Sequence, residues 1–118
     1  MATILLVEDN DDVREMMALA LQLNGHSVRL AANGCEALAQ LQAGVKPNLI
    51  LMDLMMPVMT GWELRAALKD DPRLRDIPVV VISALPTESA QRLQDTAYVA
   101  KPVDIDRLLE MVGSYCRR

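Results

Sequence analysis

Short apolar runs alternate with longer amphipathic stretches along the whole chain. Thr3-Ile4-Leu5-Leu6-Val7 has the length and composition of a buried strand. Glu8-Asp9-Asn10-Asp11-Asp12 follows, and then apolar residues at Val13, Met16, Met17, Ala20, Leu21 and Leu23. That spacing predicts a helix carrying those side chains on its inner stripe. Asn10 or Asp11 is placed to cap it, and acids in the first turn suit the helix dipole. Asn24-Gly25 ends it, with Gly25 free to take the left-handed conformation after the last turn. Ser27–Ala31 alternates, predicting a second and more exposed strand. Asn33 with Glu36 three residues later resembles a capping box, and the helix it opens runs through Ala37, Leu38 and Leu41 to Gly44.

Asn48–Asp53 predicts a third strand, apolar from Leu49 up to its final aspartate. Thr60-Gly61 starts a helix with Trp62, Leu64, Ala67 and Leu68 inward, and Pro72 stops it. Ile77–Ser83 is the most β-branched run and the fourth strand. Leu85–Asp95 predicts a weak helix with Pro86 near its start. Tyr98–Ala100 is a short fifth strand, and Asp104 to about Cys116 a last helix striped by Ile105, Leu108, Leu109 and Val112. Strict alternation of strands and helices implies an α/β fold, a parallel sheet covered on both faces. Right-handed crossovers then favour a doubly wound, three-layer sandwich. The runs at 3–7, 48–52 and 77–82 are the candidates for its central strands.

Composition narrows the function. The 118 residues make one domain, 52% apolar and 24% charged, too apolar for disorder. The net charge of −4 argues against a nucleic-acid-binding surface. No apolar run approaches the ~20 residues of a membrane span, and the N-terminus lacks the positive region of a signal peptide. Cys35 and Cys116 have neither a disulfide framework nor zinc spacing, and read as reduced thiols of a cytoplasmic protein. His26, the only histidine, falls in a turn.

The chemistry is carried by the strand ends, because open parallel sheets bind ligands beyond the carboxyl ends of their strands. The first strand ends in Glu8-Asp9, the third in Asp53, the fourth in Ser83 and the fifth in Lys101. The second ends in Ala31-Ala32, as suits an outer strand. Three converging carboxylates repel one another, and a hard divalent cation removes that cost. Oxygen-only ligands favour Mg2+ over zinc. A metal, an ammonium and a hydroxyl at one edge suit a phosphoryl group. With no Gly-rich phosphate loop and no placed histidine, Asp53 is the candidate acceptor, forming an aspartyl-phosphate. Glu8 and Asp9 are the candidate metal ligands.

Together these residues resemble the receiver domains of bacterial response regulators of two-component signalling. The matching segments are Leu6-Val7-Glu8-Asp9-Asn10, Leu51-Met52-Asp53-Leu54-Met55-Met56-Pro57, Thr60-Gly61, Val81-Ile82-Ser83-Ala84 and Tyr98-Val99-Ala100-Lys101-Pro102. They span nearly the whole chain, so residues 1–118 read as a single receiver domain. The resemblance implies a five-stranded sheet in the flavodoxin-like order 2-1-3-4-5. It implies that Asp53 accepts a phosphoryl group from a sensor histidine kinase, a phosphotransfer protein or a small donor such as acetyl phosphate. Glu8, Asp9, Asp53 and the backbone carbonyl of Met55 would hold Mg2+. Ser83 would shift toward the phosphate, Lys101 would pair with it, and Tyr98 would turn from outward to inward. A cis Lys101-Pro102 bond is expected as well. The face made by the 85–95 helix, the fifth strand and the last helix would pass the change to a downstream effector or output domain. Neither nucleic acid nor membrane would be contacted directly. The same residues would serve the receiver of a hybrid histidine kinase or a phosphorelay intermediate.

One segment departs from the family pattern. Only 13 residues lie between Ala84 and Tyr98, about one helical turn fewer than the family has, which predicts a short fourth helix. Met55 and Leu85, two positions after Asp53 and Ser83, are apolar and imply slow self-hydrolysis of the phosphorylated form. Other readings of the strand-end acids fit less well. An aspartate-nucleophile phosphatase would want an acid where Met55 stands, and the acidic run at 8–12 would repel a flavin phosphate. The cluster of Met52, Met55, Met56 and Met59 reads as packing, and Trp62 as a helix residue half-packed on the sheet.

Overall fold

The computed structural model describes residues 3–53, 61–83, 97–100 and 104–116, with the backbone alone at Gly61, Trp62, Ser83, Ala97, Tyr98, Ala100 and Cys116. The elements run β1 (Thr3–Val7), α1 (Asp11–Leu23), β2 (Ser27–Ala31), α2 (Gly34–Gln42), β3 (Leu49–Asp53), α3 (Gly61–Asp70), β4 (Val79–Ser83), β5 (Ala97–Ala100) and α4 (Ile105–Cys116). The helix expected over 85–95 lies outside the described residues, as does the Lys101-Pro102 bond.

The strands pair in parallel in the order β2-β1-β3-β4-β5. Every residue of β3 is buried, and so are the last four of β1, whereas in β2 only Ala31 is buried and Val28 partly so. The three apolar runs thus lie inside the sheet, and the alternating run takes its edge. Successive side chains point to opposite faces, which divides the core in two. Leu5, Val7, Ile50, Met52 and Val81 pack with Ala37 and Leu41 of α2 and Leu64 and Leu68 of α3. Ile4, Leu6, Leu49, Leu51, Val80 and Ile82 pack with Met17, Ala18 and Leu21 of α1 and Leu108 and Val112 of α4. This is the three-layer, doubly wound arrangement that the alternation predicts.

Local chemistry fixes the helix ends. Asn10 caps α1, its side chain accepting the Val13 N–H at 3.0 Å. Asn33 caps α2 by accepting the Glu36 N–H at 2.9 Å. The Glu36 carboxylate returns to the Ala32 N–H at 3.1 Å, one residue before the cap, so the box closes more widely than its standard form. Asp104 opens α4, its carboxylate accepting the Arg107 N–H at 3.3 Å. Both α1 and α2 end in Schellman motifs. His26 and Gly25 donate to the Leu21 and Gln22 carbonyls, and Val45 and Gly44 to those of Gln40 and Leu41. Gly25 and Gly44 adopt φ of 89° and 107°. His26 thus closes a turn, as its sequence context indicates.

Two expectations need correction. The inner stripe of α1 is Met17, Ala18 and Leu21, with Val13 partly buried. Met16 and Leu23 are 45% and 77% exposed and share an outward face with Leu19. A stripe that holds Met16 and Leu23 beside Met17 and Leu21 is too wide for the buried face of one helix, and it leaves out Ala18, which is buried. β4 begins at Val79 rather than Ile77, because the Ile77 N–H is committed to a turn with the Leu74 carbonyl and Pro78 has no N–H. No described helix is long and apolar enough to cross a membrane.

A Cβ added at Gly25 or Gly44 meets nothing within 4 Å, so any cost there is purely one of backbone conformation. Gly44→Ala is expected to lower stability by about 1–2 kcal/mol in urea unfolding. Gly44→Asn should cost less, because asparagine tolerates the left-handed region.

Candidate functional site

The chain leaves β1 outward to β2, then returns to place β3 on the other side of β1. Helices therefore leave β1 and β3 toward opposite faces, opening a crevice at the carboxyl ends of these two strands. The register decides what faces it. Val7 pairs with Met52, so Glu8, the next residue, stands level with Asp53. Asp53 pairs with Ile82, and Ser83 with Ala100. β1, β3 and β4 thus end near the same level, with Glu8, Asp53 and Ser83 there.

Carboxylate oxygens of Glu8, Asp9 and Asp53 all lie within 4.8 Å of one another. Glu8 is 2% exposed and Asp53 4%, the only polar residues among the described buried ones, whereas Asp9 is exposed. Their burial follows from position, since each directly continues a strand buried on both faces. Two such charges 4.8 Å apart repel by about 3.5 kcal/mol at an effective dielectric of about 20. Oxygens sharing one octahedral Mg2+ stand about 3 to 4 Å apart, so small adjustments would seat an ion. The donor set is all oxygen and all anionic, and it fits a hard divalent cation.

The fold thus brings Glu8, Asp9 and Asp53 together, as the strand-end reading predicts. The backbone of Ser83 ends the neighbouring β4, and that of Tyr98 lies in β5 opposite Val81. Lys101 and Met55 lie outside the described residues. Arg14 was missed in the sequence. Its guanidinium donates to the Glu8 carbonyl at 2.8 Å and pairs with the Asp11 carboxylate. The i, i+3 spacing of Asp11 and Arg14 was the available signal. The contact with Glu8 depends on how α1 folds back on β1, which sequence spacing does not reveal.

The sequence model of the response regulator receiver domain matches residues 4–113. The chain belongs to the response regulator receiver domain family. Among its relatives is the polar-differentiation response regulator DivK of Brucella anthropi, 33% identical over 117 residues, 96% of this chain and 94% of that protein. Solved receiver structures superpose closely. The chemotaxis response regulator CheY4 of Vibrio cholerae gives a TM-score of 0.90 at 31% identity, over 98% of both chains. The response regulator TrrA of Thermotoga maritima, solved in complex with Mg2+-BeF, gives 0.84 at 28% identity, over 98% of this chain and 99% of that one. The receiver fold explains why acids converge at this edge of the sheet.

Repulsion within the cluster has a measurable consequence. In EDTA, Asp53→Asn is expected to stabilise the receiver domain by about 1–2 kcal/mol in urea unfolding. Added Mg2+ should stabilise the parent protein and erase that advantage. Equal stability in EDTA would count against net repulsion at the site.

Proposed function

We propose that the protein is a phosphoacceptor receiver domain of a two-component response regulator, with residues 1–118 forming one domain on the complete 2-1-3-4-5 sheet. The observation that carries the proposal is the convergence of Glu8, Asp9 and Asp53 at the crevice between β1 and β3. In this reading Asp53 is the acceptor. Glu8 and Asp9 hold Mg2+ together with Asp53 and the Met55 carbonyl. Lys101 pairs with the bound phosphoryl group, and Ser83 and Tyr98 carry the switch.

Bound Mg2+ supplies charge neutralisation at the phosphoryl oxygens. A carboxylate oxygen of Asp53 attacks phosphorus in line with the donor bond. The new O–P bond forms as the P–N bond to a kinase or phosphotransfer histidine breaks, and the bond pair leaves with the imidazole nitrogen. Burial of Asp53 at the end of β3 fixes its direction of approach and limits access of competing water. The protein catalyses its own phosphorylation and slow dephosphorylation and acts on no separate substrate. Ser83 and Tyr98 stand on adjacent strands leading to one edge of the sheet, which supports a route from the phosphate to an effector-binding face. The exposed Met16 and Leu19 lie on the helix that starts at the acidic loop, and support docking of a phosphodonor protein on that helix. Family membership supports a cytoplasmic setting, where kinase phosphohistidines are presented.

Intact-mass measurement after incubation with acetyl phosphate tests the proposal. A single phosphoryl adduct is expected with Mg2+, and none in EDTA or with Asp53→Asn. If acetyl phosphate gives no adduct, and beryllofluoride with Mg2+ leaves the NMR spectrum unchanged, Asp53 is not a phosphoacceptor.

A further inference from the structure

The backbone that carries the two leading acids is held from both sides. The Glu8 N–H donates to the Ala31 carbonyl at 3.0 Å, extending the β1–β2 ladder one residue past the strand. The Glu8 carbonyl accepts a 2.8 Å hydrogen bond from Arg14 Nη1. The other arm of the same guanidinium, Nη2, pairs with Asp11 Oδ1. The Arg14 N–H donates to the Asn10 carbonyl at 2.9 Å, which ties the first turn of α1 to the same loop. The side chain of Arg14 is only 16% exposed, against 80% for that of Asp11.

The position of the carbonyl gives the contact its importance. The peptide unit from the Glu8 Cα to the Asp9 Cα is planar, so fixing its oxygen constrains the orientation of the whole plane. Both Cα–Cβ bonds leave from the ends of that plane, and both carry a carboxylate of the cluster. One guanidinium can therefore set the relative aim of Glu8 and Asp9 without touching either carboxylate. The exposed pairing with Asp11 contributes little by itself, as surface ion pairs generally do. Its effect is to hold the guanidinium plane in the orientation that reaches Glu8.

We propose that Arg14 is a positioning residue for the divalent-cation site, its guanidinium aligning Glu8 and Asp9 on the ion through the peptide unit between them. The proposal rests on the Mg2+ reading given above. Its opposite is well defined, because a guanidinium this close to the cluster also repels a divalent cation. If Arg14 acted only as a local positive charge, removing it would tighten Mg2+ binding. If it acts by alignment, removing it weakens binding. Lysine separates the two effects further. It keeps the charge but replaces a planar two-armed donor with a single ammonium that cannot reproduce both contacts.

Mg2+ titrations followed by amide chemical shifts, on the parent protein, Arg14→Met, Arg14→Lys and Asp53→Asn, test the proposal. Urea unfolding of each variant confirms that it is folded. The expected result is that Arg14→Met and Arg14→Lys both bind Mg2+ about tenfold more weakly than the parent, with the Glu8 and Asp9 amides displaced before metal is added. Unchanged or tighter binding by Arg14→Met overturns the proposal. If that variant does not fold, parent-like binding by Arg14→Lys overturns it instead. A parent protein whose Mg2+ response is matched by Asp53→Asn overturns the cation reading itself, and is recognised without reference to Arg14.

Discussion

A parallel sheet covered on both faces leaves its central strands no place for a polar side chain except at their ends. β1 and β3 obey this constraint along their length, with their apolar residues divided between two cores on opposite faces. Their polar residues are displaced to the point where each chain leaves the sheet. Because the strands are parallel and in register, those exits fall on one edge. Because the order reverses between β1 and β3, that edge opens into a crevice. The site is thus a consequence of how the core is packed. Moving Asp53 one residue along β3 would turn its side chain to the opposite face, toward Met52 and Val81 and away from Glu8.

The same constraint decides what could be read before folding. Runs such as Leu49–Met52 announce a doubly buried strand by composition alone, and the alternation in Ser27–Ala31 announces an edge. Helix ends were legible where a side chain or a glycine settles them locally, as at Asn10, Asn33 and Gly25. Legibility ended where two faces of one element both carry apolar residues. In α1, periodicity fits Met17 and Leu21 but does not say that Met16 and Leu23 turn to solvent. The start of β4 failed for a related reason, since a β-branched run does not reveal that its first N–H is taken by a turn.

For the site, the residue types at the strand ends were enough to single out Glu8, Asp9 and Asp53, because a strand's last residue is fixed by where the apolar run stops. Arg14 escaped because its partner in the site is a backbone carbonyl. A carbonyl has no sequence signature, and every residue of the chain carries one. Residues that act through the backbone of others are legible only once the elements are docked.

That distinction bears on how such a site is kept in order. Three carboxylates within 4.8 Å of one another cannot hold themselves in place, since their mutual interaction drives them apart. Their placement must come from contacts that do not depend on their charge. β1 supplies one through the ladder bond from the Glu8 N–H, and α1 supplies others through the Asn10 cap and the Arg14 guanidinium. Asp53 is held by β3, whose residues are buried throughout. Each anchor engages backbone or core atoms and does not draw on the charge of the three carboxylates. A loop held only by its ligand would have to be ordered at each binding event, which reduces affinity by the cost of that ordering. Anchoring the acids through their backbone keeps like charges together before the ion arrives, and leaves the ion's binding energy to act on the charges.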